Sequence, residues 1–208
     1  MADYSQNKES IMLKDILSKI GTHNNFAVEF GASDGFWYSN IRMFIEEGWK
    51  SLQMEGGDKA ANGVVKEFIT AENINDLFDK YSVPSKIDLL SIDIDGNDYW
   101  VWKNINRDVN VVVIEYNSNF SIDEAVVLEY DPNYLWNQSY AYSASYKALK
   151  ELGESKGYYL YAENHFINLI FVKKEFEKIL PSILVESELA LPHFHHSRDL
   201  QGKKFIKI

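Results

Sequence analysis

The chain has 208 residues, 46% of them hydrophobic and 14% aromatic, which is enough apolar material for one folded domain with a sizeable core. Its formal charge of −10 argues against a nucleic-acid partner, because neutralising phosphates takes clustered lysines and arginines, and Lys203, Lys204 and Lys207 form only a short terminal group. The absence of cysteine excludes disulfides, zinc-thiolate sites and a cysteine nucleophile, and fits a reducing compartment.

At the N-terminus, Asp3, Lys8, Glu9, Lys14 and Lys19 break up the apolar positions, which is wrong for a signal peptide. No window approaches the roughly 18 charge-free apolar residues of a membrane span, so the chain reads as cytoplasmic with no membrane partner. Ile11, Leu13, Ile16, Leu17 and Ile20 recur at helical spacing and stop at Gly21, which predicts a helix within residues 1–24. Phe26 to Phe30 reads as a first strand running into Gly31-Ala-Ser-Asp-Gly35, a turn of small residues. A helix from about Ser39 to Glu47, a strand from Trp49 to Met54 and a strand from Val64 to Thr70 follow. Asn73 to Tyr81 predicts a capped helix, and Ile87 to Ile92 a fourth strand ending in the acidic turn Asp93-Ile-Asp-Gly-Asn-Asp98. A helix through Tyr99 to Ile105 leads to Val109–Ile114, a β-branched run suited to a strand buried on both faces. Residues 117–141 are polar, aromatic and poorly periodic, as a substrate loop would be. A helix from about Tyr142 to Lys156 precedes two closing strands, Tyr158–Ala162 and Ile167–Val172, separated by a turn short enough for antiparallel pairing. Residues 181–208 read as an irregular tail containing His193, His195 and His196.

Strands alternating with helices at this rhythm predict an α/β fold, a Rossmann-like, doubly wound and mostly parallel sheet closed by an antiparallel strand pair, in one domain over residues 1–208. In such folds a glycine-rich turn after the first strand brings backbone close to a nucleotide cofactor. Here the turn reads Glu29-x-Gly31-x-x-Asp34-Gly35, with two glycines and two carboxylates where a dinucleotide fingerprint would have three glycines. Carboxylates would repel a pyrophosphate but suit the sulfonium and ammonium of S-adenosylmethionine. Glu55, closing the second strand, is placed to accept hydrogen bonds from an adenosine ribose, a position that NAD enzymes also use.

Five segments in order, Val28–Gly35, Met54–Gly56, Ala71–Asn73, Leu90–Asp98 and Val113–Asn117, carry a resemblance to the Rossmann-like S-adenosylmethionine-dependent methyltransferases, and within them to the FkbM-like group, over roughly residues 26 to 173. The resemblance implies that Glu29, Gly31, Ser33, Asp34 and Gly35 line the methionine part of the cofactor, Glu55 the ribose, and Ala71 and Glu72 the adenine edge. It places Asp93 at the reacting end. The family methylates sugars, macrolides and other hydroxylated metabolites, so a small hydroxylated molecule is the expected partner.

Methyl transfer requires a donor and an acceptor held in line and a proton removed. Asp93, Asp95, Asp98, Glu115 and Asn117 all fall at the strand ends where open α/β sheets bind ligands. Two roles remain open for them. Asp93, Asp95, Glu115 and Asn117 could hold magnesium or manganese, which lowers the pKa of a bound hydroxyl. Alternatively Asp93, Asp95 and Glu115 bind cofactor and acceptor directly, one serving as general base. The run from Asp93 begins like a calcium loop but has Asp98 where glycine is required and Asn104 where glutamate is required. His165 and the histidine tail are further candidate bases, and the aromatic residues from Tyr130 to Tyr146 are candidate stacking platforms, whereas Trp100 and Trp102 suit a helix packed on the sheet. An NAD-dependent oxidoreductase on the same fold and a non-catalytic adenosyl-binding module are the alternatives.

Overall fold

The computed structural model describes residues 2–189 and 202–208. In chain order the elements are α1 (Glu9–Ile20), β1 (Phe26–Phe30), α2 (Arg42–Glu46), β2 (Lys50–Glu55), β3 (Val65–Lys66), α3 (Ile74–Lys80), β4 (Lys86–Ile92), α4 (Asp98–Asn104), β5 (Asp108–Glu115), β6 (Val126–Leu128), α5 (Tyr146–Ser155), β7 (Tyr158–Asn164), β8 (Asn168–Lys173) and β9 (Phe205–Lys207). A seven-stranded sheet runs in the order β3-β2-β1-β4-β5-β8-β7, and β6 pairs with β9 in a separate small sheet. The first five strands are mutually parallel, while β8 is antiparallel to both β5 and β7. The chain therefore has the Rossmann-like α/β fold that its alternation of elements predicts, antiparallel closing pair included. No helix among the described residues is long and apolar enough to cross a membrane.

Alternation along the central strands builds two cores, one on each face. Val112 and Ile114 of β5 pack with α3, α4 and α5, whereas Val111 and Val113 pack with Leu13, Ile16, Ile41 and Phe44 on the side of α1 and α2. Trp102 and Phe171 meet in the first core with ring centroids 4.8 Å apart. At the N-terminal end of the sheet, buried Asp88 accepts hydrogen bonds from the backbone of His23, Asn24 and Asn25 at 2.7–3.0 Å and from Asn110 Nδ2 at 3.1 Å. One carboxylate thus anchors the turn that feeds β1.

Several elements are shorter than periodicity predicts, for local reasons. α2 starts at Arg42 because Ser39 and Asn40 turn inward to the Glu29 carboxylate. β3 is two residues long because β2, its partner, ends at Glu55, whose carbonyl takes the last sheet bond from Glu67 N–H at 3.0 Å. α5 starts at Tyr146, where Ser145 caps it by accepting the Ala148 N–H; ahead of it, Ala144 bridges to Val127 and takes the Asn117 N–H at 2.8 Å. Segments read as irregular contain the small sheet: β6 lies within 117–141 and β9 within 181–208. Neither strand exceeds three residues, too few to register a period of two.

Candidate active site

The strand order reverses around β1, with β2 on one side and β4 on the other, and a cavity of about 840 Å³ opens at the C-terminal ends of these strands. Its floor comes from the turns after β1, β4 and β5, and Glu55, Gly56 and Phe68 form one wall. Tyr134, Leu135, Trp136, Tyr142 and Phe166 complete the lining.

Gly31 fixes how close the first two turns can come. It sits at φ +70°, and a Cβ there would stand 1.6 Å from the Asp93 carbonyl oxygen, so only glycine fits. Behind it, buried Glu29 accepts hydrogen bonds from Ser39 Oγ at 2.6 Å, Asn40 N at 2.7 Å and Gln53 Nε2 at 2.8 Å. Burial nevertheless raises its pKa, opposed by those donors. Glu55 spans two turns: one oxygen accepts Ser33 N–H at 3.0 Å and the other Gly57 N–H at 2.7 Å.

Asp34 and Gly35 do not line the cavity. The Asp34 carboxylate accepts the N–H groups of Phe36 and Trp37 at 3.0 and 3.1 Å, and these bonds lower its pKa, so its role is to shape the turn. Gly35 faces the other way, where a Cβ would stand 2.8 Å from Val64 Cγ2. Ala71 and Glu72 also stand back, because the lining ends at Ile69. Both are engaged with the Tyr130 hydroxyl, which accepts the Ala71 N–H at 3.1 Å and donates to Glu72.

The turn after β4 holds the acids. Asp98 accepts Ile94 N–H and Gly96 N–H, both at 2.9 Å, and so clamps a turn in which Asp95 takes a left-handed φ of +57°. Gly96 makes room for the Tyr134 ring, since a Cβ there would come within 2.3 Å of it. One carboxylate oxygen from each of Asp93, Asp95 and Glu115 lies within 4.8 Å of the others. Burial, then the neighbouring negative charges, pushes Asp93 and Glu115 well above the carboxylate range and Asp95 up to about 6. Glu115 Oε2 is shut off from solvent and has no hydrogen-bond partner among the described residues.

Asn117 does not join this group. Its amide donates to the carbonyls of Tyr140 at 2.9 Å and Tyr142 at 2.8 Å, and its Oδ1 accepts from Asn119 N and Nδ2 at 3.1 and 2.7 Å. Every polar atom of the side chain is therefore spent on folding the 117–142 segment, which removes it from the candidate metal ligands.

Of the aromatic platform candidates, Tyr134, Trp136 and Tyr142 face the cavity, while Tyr130, Tyr140 and Tyr146 do not. Trp100 donates its indole N–H to the Leu128 carbonyl at 2.8 Å, holding β6 against α4. His165 is exposed and outside the lining, and His193, His195 and His196 lie outside the described residues. Sequence reasoning missed Gln6, Trp37, Tyr38, Tyr116, Phe68 and Phe166, all of which line the cavity. Trp37 and Tyr38 carried a usable signal, two large aromatics directly after a glycine turn, and they stand 72% and 69% exposed at the cavity. Gln6 carried none, because the N-terminal segment reaches the cavity only through tertiary packing.

No protein-family model matches the chain, and no curated protein matches it. Among solved structures, the N-terminal domain of EvdMO1 with SAH bound is similar over 82% of this chain and 82% of that one, at 11% identity and a TM-score of 0.48. An S-adenosylmethionine-dependent methyltransferase from Clostridium acetobutylicum is similar over 83% of this chain and 92% of that one, at 10% identity and a TM-score of 0.47. A SAM-dependent methyltransferase from Aquifex aeolicus is similar over 76% and 87%, at 9% identity and a TM-score of 0.37. At these identities the chemistry has to be argued from this chain's own side chains.

Proposed function

We propose that the chain is an S-adenosylmethionine-dependent methyltransferase that methylates a hydroxyl oxygen of a small molecule such as a sugar. The observation that carries this reading is the contact of Gly31 with the Asp93 carbonyl, in a crevice at the strand-order reversal whose nearest charged groups are carboxylates. A cationic adenosyl-sulfur ligand suits such a crevice and a pyrophosphate does not. When bound, S-adenosylmethionine supplies a methyl group on positively charged sulfur. Glu55 spends one lone pair of each oxygen on backbone N–H groups and keeps others for the two ribose hydroxyls. Glu29 and Ser33 flank the methionine end and Asp93 faces the reacting centre. Asp95, with its pKa near 6, takes the proton from the acceptor hydroxyl as that oxygen engages the methyl carbon. Glu115, whose pKa burial and the neighbouring carboxylates raise, stands beside Asp93 and Asp95 and orients the acceptor oxygen by a hydrogen bond. The 117–141 segment serves as the acceptor-side wall of a single domain.

A second reading keeps the reaction and adds magnesium or manganese. It is favoured by the orphaned Glu115 Oε2 beside Asp93 and Asp95, an all-oxygen donor set that fits a hard divalent ion. Asp93, Asp95 and Glu115 would hold the ion, which would lower the pKa of the acceptor hydroxyl. Calorimetric titration with S-adenosylhomocysteine and with NAD tests the main reading: binding of the first and not the second is expected, and preferential NAD binding would overturn it. Manganese titration followed by electron paramagnetic resonance separates the two versions, since Glu115→Gln should abolish a bound-manganese signal if the ion is resident.

A further inference from the structure

The turn between β7 and β8 is built from residues that do not suit it. Ile167 N donates to Asn164 O at 3.1 Å across a four-residue turn whose central residues, His165 and Phe166, both take left-handed φ values of +52° and +60°. Two left-handed central positions are normally filled by Asn-Gly, because a Cβ strains that conformation and a bulky side chain strains it most. Glu163 holds the distortion in place, one of its oxygens accepting both the Phe166 N–H and the Tyr116 hydroxyl, the latter at 3.2 Å. The result is that His165 points to solvent and the half-buried Phe166 ring becomes part of the cavity lining, next to Tyr116 and Ile167. Backbone strain kept beside a cavity is the arrangement found where a side chain must face a ligand.

Phe166 stands on the acceptor side. It follows β7 and precedes β8, the neighbour of β5, so it lies near Glu115, whereas Gly31 and Glu55 belong to the opposite half of the sheet. The aromatic rings of Trp136 and Tyr142 line the same cavity. The described lining has seven carboxylates, and its only ammonium group is Lys59. Aromatic rings in a lining this rich in carboxylates would stack a flat or C–H-faced ring and repel an anion.

We propose that the acceptor is an uncharged ring bearing the hydroxyl, a glycoside or an aryl alcohol, whose face lies on Phe166, and that phosphorylated or nucleotide-linked forms of the same ring are refused. The proposal rests on the methyltransferase reading for the identity of the other ligand. If the ring is a sugar, any nucleotide carrier must have been removed by glycosyl transfer before this chain acts.

The test uses the full chain saturated with S-adenosylhomocysteine and titrated with p-nitrophenyl β-D-glucopyranoside, with glucose 6-phosphate as the anionic comparison. Wild type is expected to bind the glucoside at least about tenfold more tightly than the phosphate. Phe166→Ala and Phe166→Gly should each weaken the glucoside by about fivefold or more, and Phe166→Tyr should keep it within about twofold. Both truncations lose the same ring, but only glycine relieves the strain, so Phe166→Gly should melt about 2–4 °C above Phe166→Ala. Unchanged glucoside affinity in the truncated variants, no glucoside binding by wild type, or equal binding of the phosphate would each overturn the proposal. Failure of S-adenosylhomocysteine itself to bind would instead sink the methyltransferase reading, and this one with it.

Discussion

The two halves of the cavity treat their carboxylates in opposite ways. On the side of β1 and β2, Glu29 has three hydrogen-bond donors and Glu55 has two backbone N–H groups, so each carboxyl group is held and directed before any ligand arrives. On the side of β4 and β5, Asp93, Asp95 and Glu115 crowd within 4.8 Å of one another, and one Glu115 oxygen has no donor at all among the described residues. The first half, the recognition surface of the proposed methyltransferase, is preorganised, and its geometry should be intolerant of change. The second is electrostatically unsatisfied, and its state should depend on protons, cations and what occupies the cavity.

The sharpest way to break this contrast is Gly31→Ala. The added methyl would collide with the Asp93 backbone, so the turns after β1 and β4 must separate by more than an ångström. Misplacement on that scale should weaken S-adenosylhomocysteine by roughly a hundredfold, measured by calorimetry, with a folded protein confirmed by circular dichroism. An affinity within a few-fold of wild type would mean that the recognition half is not rigid.

Glu55→Ala should have the next largest effect. Loss of the acceptor proposed for two ribose hydroxyls, together with release of the Ser33 and Gly57 N–H groups, is expected to cost about 2–3 kcal/mol of S-adenosylhomocysteine affinity, or roughly 30- to 150-fold. Glu55→Gln, which keeps one carbonyl acceptor, should fall between. An unaffected affinity would place the ribose elsewhere.

The unsatisfied half should reveal itself through pH. Asp95 has its pKa raised from 3.8 to about 6 in the fold, so between those values the folded protein binds more protons than the unfolded chain. Its stabilising contribution is therefore complete below pH 4 and is lost as pH rises through 6, the opposite of an ion-paired aspartate. In chelator and without cofactor, unfolding free energy should drop by up to about 3 kcal/mol between pH 4 and pH 7 from this group. Asp95→Asn should flatten that slope. A stability that rises with pH in the wild type and is indifferent to the substitution would remove the crowding argument.

These contrasts were only partly legible in the sequence. Val109 to Ile114 announced a doubly buried strand, and Glu29-x-Gly31 with Glu55 announced a turn that lines the cavity, because both signals are local: one is a run of β-branched residues and the other a short motif. The acid cluster was legible as a set but not as a geometry, since nothing in the spacing of Glu115 and Asn117 says that one faces the cavity and the other is consumed by the Tyr140 and Tyr142 carbonyls. Asp34 looked like a ligand group and is a turn-former, a role that aspartate plays equally well through short-range hydrogen bonds. The wall proposed to face the acceptor was the least legible part. Phe166 faces the cavity only because its backbone is forced left-handed, and Tyr134 only because Gly96 leaves space for its ring.

That wall is also braced from the far end of the chain, which gives the smallest and most discriminating effect. β9 pairs with β6, the Phe205 ring lies 4.7 Å from Phe120, and Lys203 Nζ stands 4.8 Å over the Tyr134 ring and 3.3 Å from Asp131. The Asp131 carbonyl in turn accepts Asn97 Nδ2 at 2.8 Å, linking the C-terminal strand to the acidic turn. Lys203→Met removes a partly exposed ion pair and a ring contact that together contribute about 1 kcal/mol or less, so the melting temperature should fall by no more than about 2–4 °C. If the two halves are independent, S-adenosylhomocysteine affinity should not change, while hydrogen exchange at amides of residues 126–144 should quicken severalfold. Quickened exchange accompanied by an equal loss of cofactor affinity would instead mean that the wall and the recognition surface move as one body.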